Sequence, residues 1–186
     1  RWPRTGARKI AYIVMGVVVT SISVYELSYY RMTPTQWSRM KYGSLFISAR
    51  KLAPTIEFFL KDNETFYNWG AESALYIYTK RPIPTSIFHF YPLLYDTPVR
   101  EKFSRSTIDE LKETRPEMAV IFKGATPEAH SFFDLRMQPV LKWVYDNYVP
   151  IPYGNKEFEL RALKGGSLEK RLEEGTASMP QFGGER

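Results

Sequence analysis

The residues from Ile10 to Tyr25, IAYIVMGVVVTSISVY, contain no charge, and with Leu27–Tyr30 beyond Glu26 they approach the ~20 residues a helix needs to cross ~30 Å of hydrocarbon. This segment constrains the chain more than any other. Arg1, Arg4, Arg8 and Lys9 precede it, and Tyr25, Tyr29, Tyr30 and Trp37 follow it as an aromatic interfacial belt would. The expectation is a single-pass membrane protein with its N-terminus in the cytoplasm and its remaining mass extracytoplasmic, in a periplasm where there is one. Two other readings compete: a cleavable signal peptide and a buried helix of a soluble protein. The signal peptide fits poorly, because Val24-Tyr25-Glu26-Leu27 stands where small residues would be needed. Glu26 falls at the outer interface, either solvated or paired with a neighbouring helix. Gly16, Thr20 and Ser23 would let such a helix approach closely.

With 186 residues, 44% of them apolar, there is room for one span and one domain with one core. The 16% aromatic share suits strands and a bilayer interface, and it argues against disorder over most of the chain. A net charge of +6 is spread out, and its densest cluster flanks the apolar segment, which points to topology and away from nucleic acid. Cysteine is absent, which excludes disulfides, a thiol nucleophile and Cys-type zinc sites. The first residue is not Met, which suggests processing or the remainder of something longer.

The chain is expected to divide into a basic flank and span (1–30), a turn-forming connector (31–43), an α/β domain (44–164) and a charged, flexible tail (165–186). Within the domain, Phe46, Ile47, Leu52, Ile56, Phe59 and Leu60 predict a helix over 44–60 that Pro54 interrupts or bends. A polar turn at 61–64 follows. Thr65–Trp69 reads as a strand closed by Gly70, 71–79 as a short helix and Thr85–Phe90 as a second strand. Ser106 or Thr107 is expected to cap a helix over 108–113, with Asp109 and Glu110 in its first turn complementing the dipole. Met118–Phe122 reads as a buried strand. A helix over 133–148, with Pro139 setting its start, and a hairpin of 148–151 with 158–163 complete the domain. The tail reads as a short exposed helix and a disordered end. The order implies one N-terminal transmembrane helix followed by a three-layer, mostly parallel α/β domain.

Chemistry is sparsely signposted. The two histidines, His89 and His130, lack the spacing of a metal site, and the phosphate-cradling and nucleophile-elbow motifs are absent. His89, among aromatics, reads as a packing residue. Trp69-Gly70 is a tight strand-to-helix turn that could also approach a ligand. Lys80-Arg81, before Pro82 and Pro84, reads either as a solvated turn or as a contact for phosphate head groups or an anionic lipid-linked substrate. No cofactor is indicated.

The order of these features, with FYNWGAESALYIYTKRPIPTSIFHFYPLL and STIDELKETRPEMAVIF, resembles the last span and C-terminal extracytoplasmic domain of GT-C class membrane glycosyltransferases. The similar enzymes are the protein mannosyltransferase-like and aminoarabinose transferase-like ones. Trp69, Gly70, Glu72, Leu75, Tyr76, Tyr78, Arg81, Pro82, Tyr91, Pro92 and Leu93 carry the resemblance, which extends through Leu111, Pro116 and Asp146-Asn147-Tyr148 and covers roughly Ile10 to Leu163. Lys80 departs from the family, which often has Gly before the Arg. The resemblance implies that the catalytic carboxylate and the lipid-phosphate-sugar site belong to a many-helix N-terminal part, so this chain alone is not expected to transfer sugar. The leading expectation is a non-catalytic accessory subunit of a larger membrane complex, respiratory and photosynthetic ones being plausible hosts. It would meet other membrane subunits through its span and outer domain, with Trp69, Glu72, Lys80, Arg81, Glu26 and Gly16 as interaction residues. The alternatives are the C-terminal piece of a polyprenyl-phosphate-sugar-dependent glycosyltransferase and an anchored solute-binding domain using the Trp69-Gly70 turn.

Overall fold

The computed structural model describes residues 4–70, 72–94, 97–125 and 138–175, and it divides the chain into two units, 1–44 and 45–186. In the first unit, α1 runs from Arg4 to Tyr30. Its stretch Arg8–Leu27 has a mean hydropathy of 1.8 and none of it is buried, so it is long and apolar enough to cross a membrane. The helix stops because Pro34 lacks an N–H and its ring would clash with the carbonyl of Tyr30. Thr33, just before the proline, is held extended at ψ 155°. The expected irregular connector is instead largely a second helix, α2 (Pro34–Tyr42). Its signal is a capping box in which Thr33 Oγ accepts the Gln36 N–H and Gln36 Oε1 accepts the Thr33 N–H.

The second unit opens with α3 (Leu45–Phe59), which runs through Pro54 without interruption and buries Ala49, Leu52, Ala53, Ile56 and Phe59. Next come β1 (Phe66–Trp69), α4 (Ala74–Thr79), α5 (Tyr91–Leu94), α6 (Arg100–Thr114) and β2 (Met118–Phe122). The unit continues with α7 (Pro139–Asn147), β3 (Tyr148–Gly154), β4 (Phe158–Leu163) and α8 (Ser167–Glu173). The part of the expected last helix over 133–137 lies outside the described residues, as does the tail beyond 175.

Among the described residues the sheet has four strands in the order β1-β2-β4-β3. β1 and β2 are parallel, whereas β4 is antiparallel to both β2 and β3. The sheet is therefore mixed, which corrects the mostly parallel expectation. Three strands share a direction, but the β3–β4 hairpin folds its return strand inward, between β2 and β3, so only one of the three pairings is parallel. Alternation along the strands loads both faces with apolar side chains. Phe66, Met118, Val120, Phe158 and Leu160 pack with α3, α4 and Leu168 of α8. Tyr67, Trp69, Ala119 and Ile121 pack with Phe90, Leu93 of α5, Leu111 of α6 and Val140, Leu141 and Val144 of α7. Helices thus cover both faces.

Three further expectations are corrected. Thr85–Phe90 is not a strand, because its polar groups are satisfied elsewhere: Ser86 N–H and Oγ both donate to the Glu110 carboxylate, at 2.6 and 2.7 Å, and Thr85 Oγ bonds the carbonyl of Ile87. The helix that Ser106 or Thr107 was expected to cap begins earlier, at Arg100. Thr107 is consequently buried in its interior, and Asp109 and Glu110 lie beyond its first turn. The helix after Gly165-Gly166 is not simply exposed, because it buries Leu168 completely.

Candidate functional site

β1 delivers four buried residues in a row, Phe66, Tyr67, Asn68 and Trp69, and then leaves the sheet at Gly70. A side chain there would be tightly placed: a Cβ would stand 3.1 Å from Phe122 Cβ and 3.4 Å from Asn68 Oδ1. The absent side chain lets the end of β1 press against the end of β2. Across the turn, the Tyr76 hydroxyl accepts the Asn68 N–H at 3.0 Å, and its ring stacks on Phe66 with centroids 4.5 Å apart. The Phe90 N–H donates to the Gly70 carbonyl at 3.3 Å, and the Phe90 ring lies 5.8 Å from that of Trp69.

This turn buries polarity that it does not satisfy. Asn68 is 1% exposed and Glu72 4% exposed. Neither amide atom of Asn68, nor Glu72 Oε2, has a hydrogen-bond partner among the described residues. Such groups cost stability and call for a reason. Burial raises the Glu72 carboxyl above the ordinary carboxylate range. The location is the carboxyl end of the parallel pair β1–β2, the edge where open α/β sheets present ligand sites.

Of the interaction residues expected from sequence, Trp69 and Glu72 share this turn. Trp69 is fully buried in the core, so its ring serves packing. Arg81 lies elsewhere and is committed: its guanidinium donates to the carbonyls of Lys61 at 2.6 Å and Leu60 at 2.9 Å, and also to that of Glu64. It staples the α3–β1 connection to the end of α4. Lys80 caps α4 in the left-handed region at φ 52° and is exposed. Gly16 and Glu26 belong to α1, in the other unit, and both are exposed. A shallow groove along α1 runs past Ile13, Gly16, Val17, Thr20 and Val24. His89 packs edge-on to Phe88 with centroids 5.0 Å apart, and its Nδ1 is shielded without a partner among the described residues.

Sequence reading missed Asn68 and a second polar cluster at the amino end of β1. There Arg171 of α8 reaches Glu64 at 2.8 Å and also donates to the Phe59 carbonyl. Burial pushes the Glu64 carboxyl up, but hydrogen bonds from Arg171, Ser167 and the Lys61 N–H, with the charge of Arg171, hold it down at about 2. Of the pair, Glu64 lines a cleft of about 640 Å³ that also touches Lys61, Arg115, Glu117 and Ser167. Its partners are 107 positions apart, so no local pattern announces it. Among the described residues no group of three His, Cys, Asp or Glu side chains is placed to hold a metal.

Comparison with known proteins finds no matching family model, no matching curated protein and no matching solved structure.

Proposed function

We propose that the chain is a single-span membrane protein, N-terminus cytoplasmic, whose extracytoplasmic α/β domain serves as an accessory element of a larger membrane assembly. The observation that carries this reading is α1: its 20-residue stretch Arg8–Leu27 is long and apolar enough to cross a membrane and none of it is buried, with Gly16, Thr20 and the carboxylate of Glu26 along it. Close packing of small residues and pairing of a carboxylate are how spans join other spans. The test is purification from the native membrane in mild detergent. Stoichiometric co-migration with other membrane subunits is expected; migration as a lone chain overturns the reading.

A second reading, the C-terminal part of a GT-C class glycosyltransferase, draws on the family resemblance and on the Asn68 side-chain amide and Glu72 Oε2 flanking Trp69-Gly70, which have no partner among the described residues. In that case the turn would touch acceptor or donor, and the reacting groups would lie in membrane helices upstream. The reading frame of the gene separates the two. A frame opening just before Arg1 favours the first, and one continuing upstream through many hydrophobic segments favours the second.

A further inference from the structure

The helix α2 has no buried residue. At nine residues it is shorter than the ~12–15 that make a free helix marginal in water, so packing or a surface has to support it. Its ends are nevertheless specified locally. Pro34 stands in the first turn, Thr33 and Gln36 form the capping box, and Gly43 closes it at φ 73° with its N–H on the Arg39 carbonyl at 2.9 Å. What it displays is apolar, aromatic and basic: Trp37 is 38% exposed, Met40 48% and Tyr42 49%. By helical spacing Trp37, Met40 and Lys41 share one side, with Thr35 and Arg39 opposite. The Lys41 ammonium lies 4.6 Å from the Trp37 ring centroid and 5.2 Å from that of Tyr42. The helix begins only seven residues after the apolar stretch of α1 ends at Leu27, within the same unit of the chain.

We propose that α2 is an interfacial helix that lies in the head-group layer of the membrane α1 crosses, with Trp37 and Met40 against the acyl boundary and Lys41 at anionic head groups. The inference rests on reading α1 as a span. Tryptophan and tyrosine favour the head-group level, where one side of the ring is apolar and the other wet. A lysine beside them can extend its ammonium to the phosphates of the head-group layer while its stem stays along the apolar boundary. Spans place such anchors immediately beyond their apolar stretch, which is where α2 stands.

The chain has no cysteine, so single labels are unambiguous. Full-length Met40→Cys, Thr35→Cys and Val18→Cys variants carrying a nitroxide would be reconstituted in mixed phosphatidylcholine–phosphatidylglycerol vesicles. Collision with oxygen, which concentrates in lipid, would be compared with collision with a water-soluble nickel chelate. Oxygen is expected to dominate at position 40 and nickel at position 35, a reversal of sign across one helix. Val18 reports the span independently. If Val18 lies in hydrocarbon while position 40 collides mainly with nickel, the interfacial helix is refuted and the span survives. If Val18 is also in water, both readings fall. Shielding of position 40 from both reagents means that protein covers it, which likewise overturns the lipid assignment.

Discussion

Two glutamates in the α/β unit carry opposite pH signatures. Glu64 is held at about 2 against an ordinary 4.5, so its stabilisation is fully present above the ordinary value and is lost as pH falls towards the folded one. The full effect is about 1–3 kcal/mol once solvent screening is allowed for. Replacing Arg171 with Met leaves Glu64 shielded without its charge partner. The expected loss is about 3 kcal/mol at neutral pH, with a flattened acid limb between the two values, read by urea denaturation of the full chain in mild detergent. Glu72 behaves in the reverse sense. Burial raises its pKa, so folding favours the protonated form, and stability declines as pH rises from the ordinary carboxylate range through the raised value. Glu72→Gln should remove that decline and melt above wild type at neutral pH. A melting profile parallel to wild type would count against a charge burden there. Asn68→Leu fills the same space without two partnerless atoms and should stabilise by about 1–2 kcal/mol in the same denaturation assay. If it also impairs assembly or transfer while raising stability, the amide is kept for a ligand.

At the level of elements, the sequence was legible wherever one period dominated a segment. The helical recurrence of Leu52, Ile56 and Phe59 located α3, and the apolar run Met118–Ile121 located β2. Thr85–Phe90 misled because its β-branched and aromatic residues resemble a strand, yet Glu110, 24 positions away, takes the Ser86 N–H that a ladder would need. Glu110→Ala should cost about 1–2 kcal/mol and speed amide exchange at Ser86, measured by hydrogen exchange, since two charge-assisted bonds are lost together. Protection of Ser86 equal to wild type would show that its N–H is held by something else. The charged composition of α8 concealed its buried anchor, Leu168, the partly buried Leu172 and the Arg171 ion pair; net polarity says nothing about two apolar positions in seven. At the candidate site, Trp69-Gly70 marked the turn correctly, because a glycine after a strand has few other uses. Asn68 stayed invisible, since polar residues within a strand read as the solvated face until the helices that cover that face are known.

For the whole molecule, strand order was the least legible quantity. Nothing in 148–163 states that the return strand of the hairpin will sit inside, between β2 and β3, and that one choice converts a parallel arrangement into a mixed sheet. The N-terminal helix is the opposite case, since apolar length alone predicts a helix long enough to cross a membrane. What surrounds that helix decides whether the chain belongs to an assembly. A photoreactive side chain placed in turn at each position from Ile13 to Val24, in native membranes, tests this most directly. Membership of an assembly predicts protein adducts recurring with helical period around Gly16, Thr20 and Ser23, and lipid adducts on the remaining face. Lipid adducts at every position, with no periodic protein partner, would contradict it.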